Sequence, residues 1–291
     1  MFGAWTDGLL PEIRLEMAQY VQDSKLRLHP EVGAVHSSMA FAFNLFAPFR
    51  LASASSLAAI LGEATSRSLD VESVQFEFHG QGDVLGEWSQ AHRPGPDDKF
   101  TAADVGVVVR DGARRGVILM EVKLGEIGFT TCKGRTSLGN RDREVCKSAS
   151  ALLAAPGRCY LTRTVHAVRD RRYWDIFERQ MGTVAAMFPN VIPQGECPFA
   201  YDNQQPMRNH AMALGLVQDG EVEFAHFGLV HHDKNPDVPP LWASYRELCR
   251  DDRTLFTLKA SEVLAADGSG TDWWGAWRQY MLERYDLPPR E

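Results

Sequence analysis

The sequence predicts an α/β fold in which a central mixed β-sheet is flanked by helices, and three observations predict it. Helical and strand-like apolar periods alternate along the chain in the order helix, strand, hairpin, helix, strand. The runs Asp104-Val-Gly-Val-Val-Val-Arg and Val117-Ile-Leu-Met-Glu-Val-Lys are almost wholly apolar, as strands covered on both faces are. Between them, Asp111-Gly112 supplies the residues of a chain reversal.

Residues 7–27 read as an amphipathic helix interrupted near Pro11. A strongly apolar helix starts at His36-Ser-Ser-Met-Ala-Phe-Ala-Phe-Asn-Leu-Phe, with Ser37 or Ser38 as its N-cap. Pro48 ends or bends it, and a second helix covers 54–65. Val74-Gln-Phe-Glu-Phe alternates as a strand does, and Gly80, Gly82, Gly86 and Arg93-Pro-Gly-Pro mark turns and a loop. The hairpin follows, with its turn spread over residues 111–116. Residues 141–155 form a helix closed by Pro156-Gly157, and 158–165 fit either a strand or a helical continuation. Residues 171–187 are helical, as is Gln204 to Leu214 with Pro206 in its first turn, and Val222 to His231 is a strand. Near the end, 268–285 form a docked helix rich in Trp273, Trp274 and Trp277, which suit packing or base stacking. One domain over 1–291 is expected, with a helical extension at about 1–35 and a helical tail at about 255–291.

A hydrophobic fraction of 44% with 24% charged residues gives enough apolar side chains for a sizeable core. No apolar run is long enough to span a membrane, and the first twenty residues lack a basic region followed by an apolar stretch; a cytoplasmic location without membrane partners is expected. Five cysteines are too few and too scattered for a disulfide scaffold. The net charge of −7 weighs against a nucleic-acid partner, yet residues 130–180 hold eleven Lys and Arg against five acids. Near charges dominate under screening, so this stretch suits either a phosphate-binding patch or a solvated face.

The informative residues sit on the hairpin. Glu121 and Lys123 are two apart on a strand and share a face, and the reversal returns Asp104 beside them. Charges at the end of an apolar strand need partners. Two converging carboxylates suit Mg²⁺ or Mn²⁺, with a lysine placed to orient a water or stabilise developing negative charge. A cross-strand salt bridge suits the same residues.

Asp104, a strand, a turn and Glu121-Val-Lys123 resemble the PD-(D/E)XK nuclease signature, with Ala103 in place of the usual proline. Further segments resemble a bacterial family of restriction endonucleases within that superfamily: the helix from His36, Thr101-Ala-Ala-Asp104, Glu121-Val-Lys-Leu-Gly-Glu126, Cys197-Pro-Phe, and Gln205-Pro-Met-Arg-Asn-His-Ala-Met-Ala. The resemblance implies a restriction-endonuclease-like core and a Mg²⁺-dependent endonuclease acting on DNA. It implies that Asp104 and Glu121 hold the metal, with Val122 between the charged residues counted in the metal-holding set, and that Lys123 assists attack. A further acid is expected, Glu77 first and Glu63 second, and Glu126 is either an outer neighbour of the site or merely exposed. A Gln or Arg of a later helix contacts the active site or a phosphate in related nucleases, which points to Gln205 and Arg208; Lys133 and Arg135 join them as expected nucleic-acid contacts from the basic stretch. A catalytically silent nucleic-acid-binding module of the same fold and an RNA-directed nuclease are the alternatives. A homodimer is left open, since many such nucleases pair to cut both strands.

Some helicase-linked nucleases of the superfamily carry a four-cysteine iron–sulfur cluster. Cys132, Cys146, Cys159 and Cys197 all follow the hairpin, but without a C-x-x-C pair, so a zinc or iron–sulfur site stands beside ordinary semi-buried thiols. His226, His231 and His232 lie on the last strand and read as structural or exposed, the latter two on opposite faces. Asn44, on an apolar helix, asks for a buried partner.

Overall fold

The computed structural model describes residues 5–52, 54–88, 100–162, 170–250, 253–265 and 274–288. A five-stranded sheet with spatial order β1-β2-β3-β4-β5 forms its centre. Strands β1 (Asp70–Phe78), β2 (Ala103–Asp111) and β3 (Arg114–Lys123) pair antiparallel, and β4 (Phe224–His231) and β5 (Leu255–Lys259) add in parallel beyond β3. The sheet is therefore mixed, as expected. Each face buries a separate apolar cluster. Helices α1 (Arg14–Ser24), α2 (Ser38–Phe46), α3 (Pro48–Leu51) and α4 (Ala54–Thr65) supply most of the first. The second takes residues of α5 (Arg143–Cys146), α6 (Ala149–Ala154), α7 (Tyr173–Met181), α8 (Val184–Met187), α9 (Gln204–Gln218) and α10 (Val238–Leu248). Helices α11 (Ala260–Leu264) and α12 (Trp274–Tyr285) return to the first face.

Strand parity explains the division. Val105, Val107 and Val109 of β2 pair with or flank Met120 and Ile118 of β3 on the α2 face, while Val117 and Leu119 face α9. Ser37 caps α2, its hydroxyl accepting from Ala40 N at 3.3 Å. Asn44 finds its partners: Oδ1 accepts from Leu10 N at 2.7 Å, and Nδ2 donates to Gly8 O and to the Tyr285 hydroxyl. The N-terminal segment is thereby bound into the core, where Leu9, Leu10, Ile13 and Met17 are buried. Trp274 and Trp277 are buried against Phe49, so both pack rather than present themselves to bases; Trp273 lies outside the described residues.

Several expected boundaries move. The hairpin pairs Asp111 with Arg114, so its turn is Gly112-Ala113 alone, with Gly112 at a φ of 62° that suits glycine. The 141–155 segment is two short helices, the second capped by Ser148. The 171–187 segment breaks at Gly182, where φ is 82°. Arg158 ends a short 3-10 helix and residues 159–162 form bends and turns, with no strand; the rest of that segment lies outside the described residues. The tail expected to be helical from 255 begins with β5, whose five residues are too few for strand and helix periods to separate. The α10 helix was hidden by Pro239 and Pro240, which its first turn accommodates. Among the described residues, no single helix is long and apolar enough to cross a membrane.

Candidate active site

The hairpin register places Asp104 directly across from Glu121, one step beyond the Val105–Met120 pair. Asp104 is fixed by the strand it faces: its Oδ2 accepts from Val122 N at 2.6 Å. Val122, expected in the metal-holding set, thus enters through its N–H to the carboxylate, while its side chain lies in the α2-side core. Glu121 is 1% exposed and Lys123 8%, and Lys123 Nζ lies 2.8 Å from Glu121 Oε1.

Helix α9 completes the surroundings of Glu121. Gln205 Nε2 donates to Oε1 at 2.6 Å, and Asn209 Nδ2 donates to Oε2 at 2.8 Å. These two residues are one helical turn apart and share a face. A carboxylate has about four lone-pair positions. Lys123 and Gln205 occupy those of Oε1, and Asn209 leaves one on Oε2.

Glu77 joins Asp104 from the neighbouring strand. It falls between the pairs Phe76–Val105 and Phe78–Ala103, opposite Asp104, with a left-handed φ of 50°. Both strands change face at this level. Phe76 and Val105 belong to the α2-side cluster, whereas Ala103 belongs to the α9-side cluster and Phe78 packs against it. A non-glycine residue in this conformation costs of order 1 kcal/mol, and such strain collects at functional sites. Asp104 and Glu77 line a cleft of about 590 Å³ with Glu126, whose Oε2 accepts from Leu124 N at 2.7 Å. The facing wall is the loop after α1 and the start of α2, including Arg27, His29 and His36. Loop residues show no period, so only proximity in space could bring Arg27 and His29 to the site. Glu63 is exposed on α4 and does not line this cleft.

The electrostatics follow from the crowding. Burial first, then the charge of Glu121, raises the Asp104 carboxyl well above the ordinary carboxylate range. The same two causes push Glu77 up to about 7. Burial acts to lower the Lys123 ammonium, but Glu121 and Asp104 outweigh it and hold the group above its ordinary value. Among the described residues, no three His, Cys, Asp or Glu side chains are already closed on one ion. Magnesium needs no such cage, because it takes one or two carboxylates and keeps waters. Asp104, Glu77 and Glu121 offer the hard oxygen donors that such an ion takes.

The other expected contacts are distributed differently. Gln205 reaches the site, but through Glu121, and its Oε1 accepts from Thr130 N at 2.9 Å. Arg208, expected at a phosphate, is turned away: it donates to Thr101 Oγ1 at 2.8 Å and pairs with buried Glu87 at 3.2 Å. Glu87 also accepts from the Tyr173 hydroxyl and the Thr101 amide, so this guanidinium balances an internal acid. The face of α9 toward Glu121 carries Gln205 and Asn209, while Arg208 reaches Thr101. Arg135 pairs with Glu196 at 2.5 Å and with the Tyr201 hydroxyl at 2.6 Å, so it too has internal partners, while Lys133 is exposed. Lys147, Arg158 and Arg172 pair with Glu144, Asp142 and Asp219, which uses up part of the basic stretch. The two histidines of β4 and His232 just after it are structural. His226 Nε2 accepts from Arg67 Nε at 3.0 Å, His231 meets the carbonyl of His232, and His232 meets that of Tyr285. Cys146, Cys159 and Cys197 are buried and Cys132 is half-buried, all as free thiols on the α9 side.

Residues 3–257 match the model of a family described as restriction endonuclease associating with ARP. The chain belongs to that family, and its five-stranded mixed sheet with flanking helices is a restriction-endonuclease-like core. Nothing matches among curated proteins or among solved structures.

Proposed function

We propose that this protein is a Mg²⁺-dependent endonuclease that hydrolyses DNA phosphodiester bonds at the Asp104–Glu121–Lys123 centre. One observation carries the reading: three neighbouring acids, Asp104, Glu77 and Glu121, crowd around one lysine. A structural ion pair needs one acid for Lys123. Once ionised, the two further carboxylates would carry the charge that a divalent cation complements; without one, burial and Glu121 raise both carboxyls.

Asp104 and the remaining lone pair of Glu121 would hold the ion, with Glu77 beside them. When bound, it polarises a phosphodiester oxygen and lowers the pKa of a water that attacks phosphorus. The chain's own groups prepare that site. Val122 N–H orients Asp104, Gln205 and Asn209 orient Glu121, and the Lys123 ammonium would offset negative charge growing on phosphate. The family's name supports DNA as the substrate and adds an association with ARP, which we take as a partner of the working enzyme.

Plasmid nicking in Mg²⁺, with and without EDTA, tests the proposal on wild type, Asp104→Ala and Lys123→Ala. EDTA abolishes cleavage in this reading, and each substitution lowers it by about 100-fold or more. Activity surviving both substitutions would remove the assigned site. Cleavage of RNA alone would redirect the substrate, and DNA binding without cleavage under any divalent metal would leave a silent binding module.

A further inference from the structure

Four of the chain's five cysteines, drawn from four separate segments, stand together on the α9 side of the sheet. Cys132 lies in the loop after β3, Cys146 ends α5, Cys159 follows Pro156–Arg158, and Cys197 precedes α9. Each sulfur is within electrostatic reach of the other three. The fifth, Cys249, is apart from them and donates to Tyr245 O at 3.5 Å on α10.

Apart from the Asp142 carboxylate near Cys146, the polar groups named around these sulfurs are donors. Gly134 N donates to Cys132 Sγ at 3.3 Å, and Asn140 Nδ2 reaches Cys146 Sγ at 3.4 Å and Gly134 O at 2.7 Å. The amides of Leu161 and Phe199, each two residues beyond its cysteine, lie on the side of Cys159 and Cys197 where they favour the charged sulfur. The indole N–H of Trp174 faces Cys159 and is buried with no acceptor at full hydrogen-bond distance. Donors aimed at sulfur favour the thiolate.

We propose that Cys132, Cys146, Cys159 and Cys197 are the thiolate ligands of a metal centre distinct from the carboxylate cleft. Four thiolates take either a zinc ion or an iron–sulfur cluster. As the side chains stand, no three are closed on a single ion. The centre is therefore assigned by its four thiolates and not by the identity of the metal. Its position also has a consequence for the cleft: Thr130 N, two residues before Cys132, holds Gln205 Oε1, and Gln205 holds Glu121. The centre would anchor the loop that buttresses the helix behind Glu121.

The test is metal content, which does not depend on nuclease activity. The full chain, purified anaerobically from cells supplied with iron, is analysed for iron, acid-labile sulfide and zinc and by visible absorption. Iron with sulfide identifies a cluster and one zinc per chain identifies the ion; either supports the site if each of the four Cys→Ser variants loses it and Cys249→Ser keeps it. Because a ligand variant can fail to fold, X-ray absorption at the metal edge of the wild type adds a second reading, with a sulfur-only first shell of protein and cluster atoms expected. No bound metal, nitrogen or oxygen ligands, or metal retained in the four variants (an adventitious metal only) would each overturn the proposal.

Discussion

Asn209 donates its side-chain amide to Glu121 Oε2 at 2.8 Å, while its own Oδ1 is buried without a partner. A buried unsatisfied acceptor costs about 1–3 kcal/mol, comparable to what the charge-assisted bond contributes. Asn209→Ala removes the orphan acceptor but leaves buried Glu121 Oε2 without that donor, so unfolding free energy should fall by about 1–3 kcal/mol. Glu121 loses one of the groups that fix it, and cleavage should fall by roughly tenfold or more. Urea denaturation and Mg²⁺-dependent nicking on the same preparation separate the two. A large stability loss with unchanged activity per folded molecule would make Asn209 purely structural.

Arg208 gives a different expectation. Its guanidinium pairs with Glu87, whose side chain is 2% exposed. Breaking one side of such a pair leaves a buried charge alone and costs about 3–5 kcal/mol. Arg208→Met should therefore destabilise by that order, and the double variant with Glu87→Met should recover part of the loss. The salt dependence of DNA binding should keep its slope, because no phosphate contact is removed. A shallower slope in a folded variant would restore Arg208 as a phosphate ligand.

The contrast between Asn209 and Arg208 marks how far the sequence could be read. Asp104, Glu121 and Lys123 were legible because strand parity and hairpin register are local rules, and the Asp104 side chain indeed meets the Val122 amide. Asn44 was legible because a polar residue among aromatics asks for partners, and it has them. Helix α9 was legible as a helix, but which of its faces meets the sheet is decided by packing against β3 and β4, which no periodicity in α9 records. The wall of the cleft at Arg27 and His29 and the five residues of β5 escaped for the same reason: their placement depends on distant segments, and their own patterns are too short or aperiodic.

His226 sets a pH dependence remote from the cleft. Burial, then the charge of Arg67, lowers its imidazole from the ordinary 6.5 to about 4, and Arg67 Nε donates to its Nε2 at 3.0 Å. Above pH ~6.5 both folded and unfolded chains hold it neutral, and the stability is present in full. As pH falls toward about 4, the unfolded chain gains a proton that the folded chain refuses, so stability is lost across that window. The loss amounts to at most about 3 kcal/mol. His226→Gln keeps an acceptor for Arg67 without a titrating ring and should flatten this part of the curve. Denaturant midpoints measured from pH 4 to 7 would refute the assignment if both proteins lose stability equally.

Glu77 combines two unfavourable features, a left-handed φ of 50° and a carboxyl that burial and Glu121 push up to about 7. Neither helps the fold, and glycine tolerates this backbone freely. Glu77→Gly should therefore raise stability by about 1 kcal/mol, the relief of strain and of carboxylate burial exceeding the extra entropy of the unfolded chain. Glu77→Gln keeps the strained backbone and should gain less. If Glu77 serves the metal-dependent reaction, both variants must lose cleavage while gaining or holding stability, the exchange expected of a strained functional group. Thermal melts beside nicking assays decide between the roles: destabilisation by glycine with intact cleavage would show that Glu77 supports the sheet and takes no part in the chemistry.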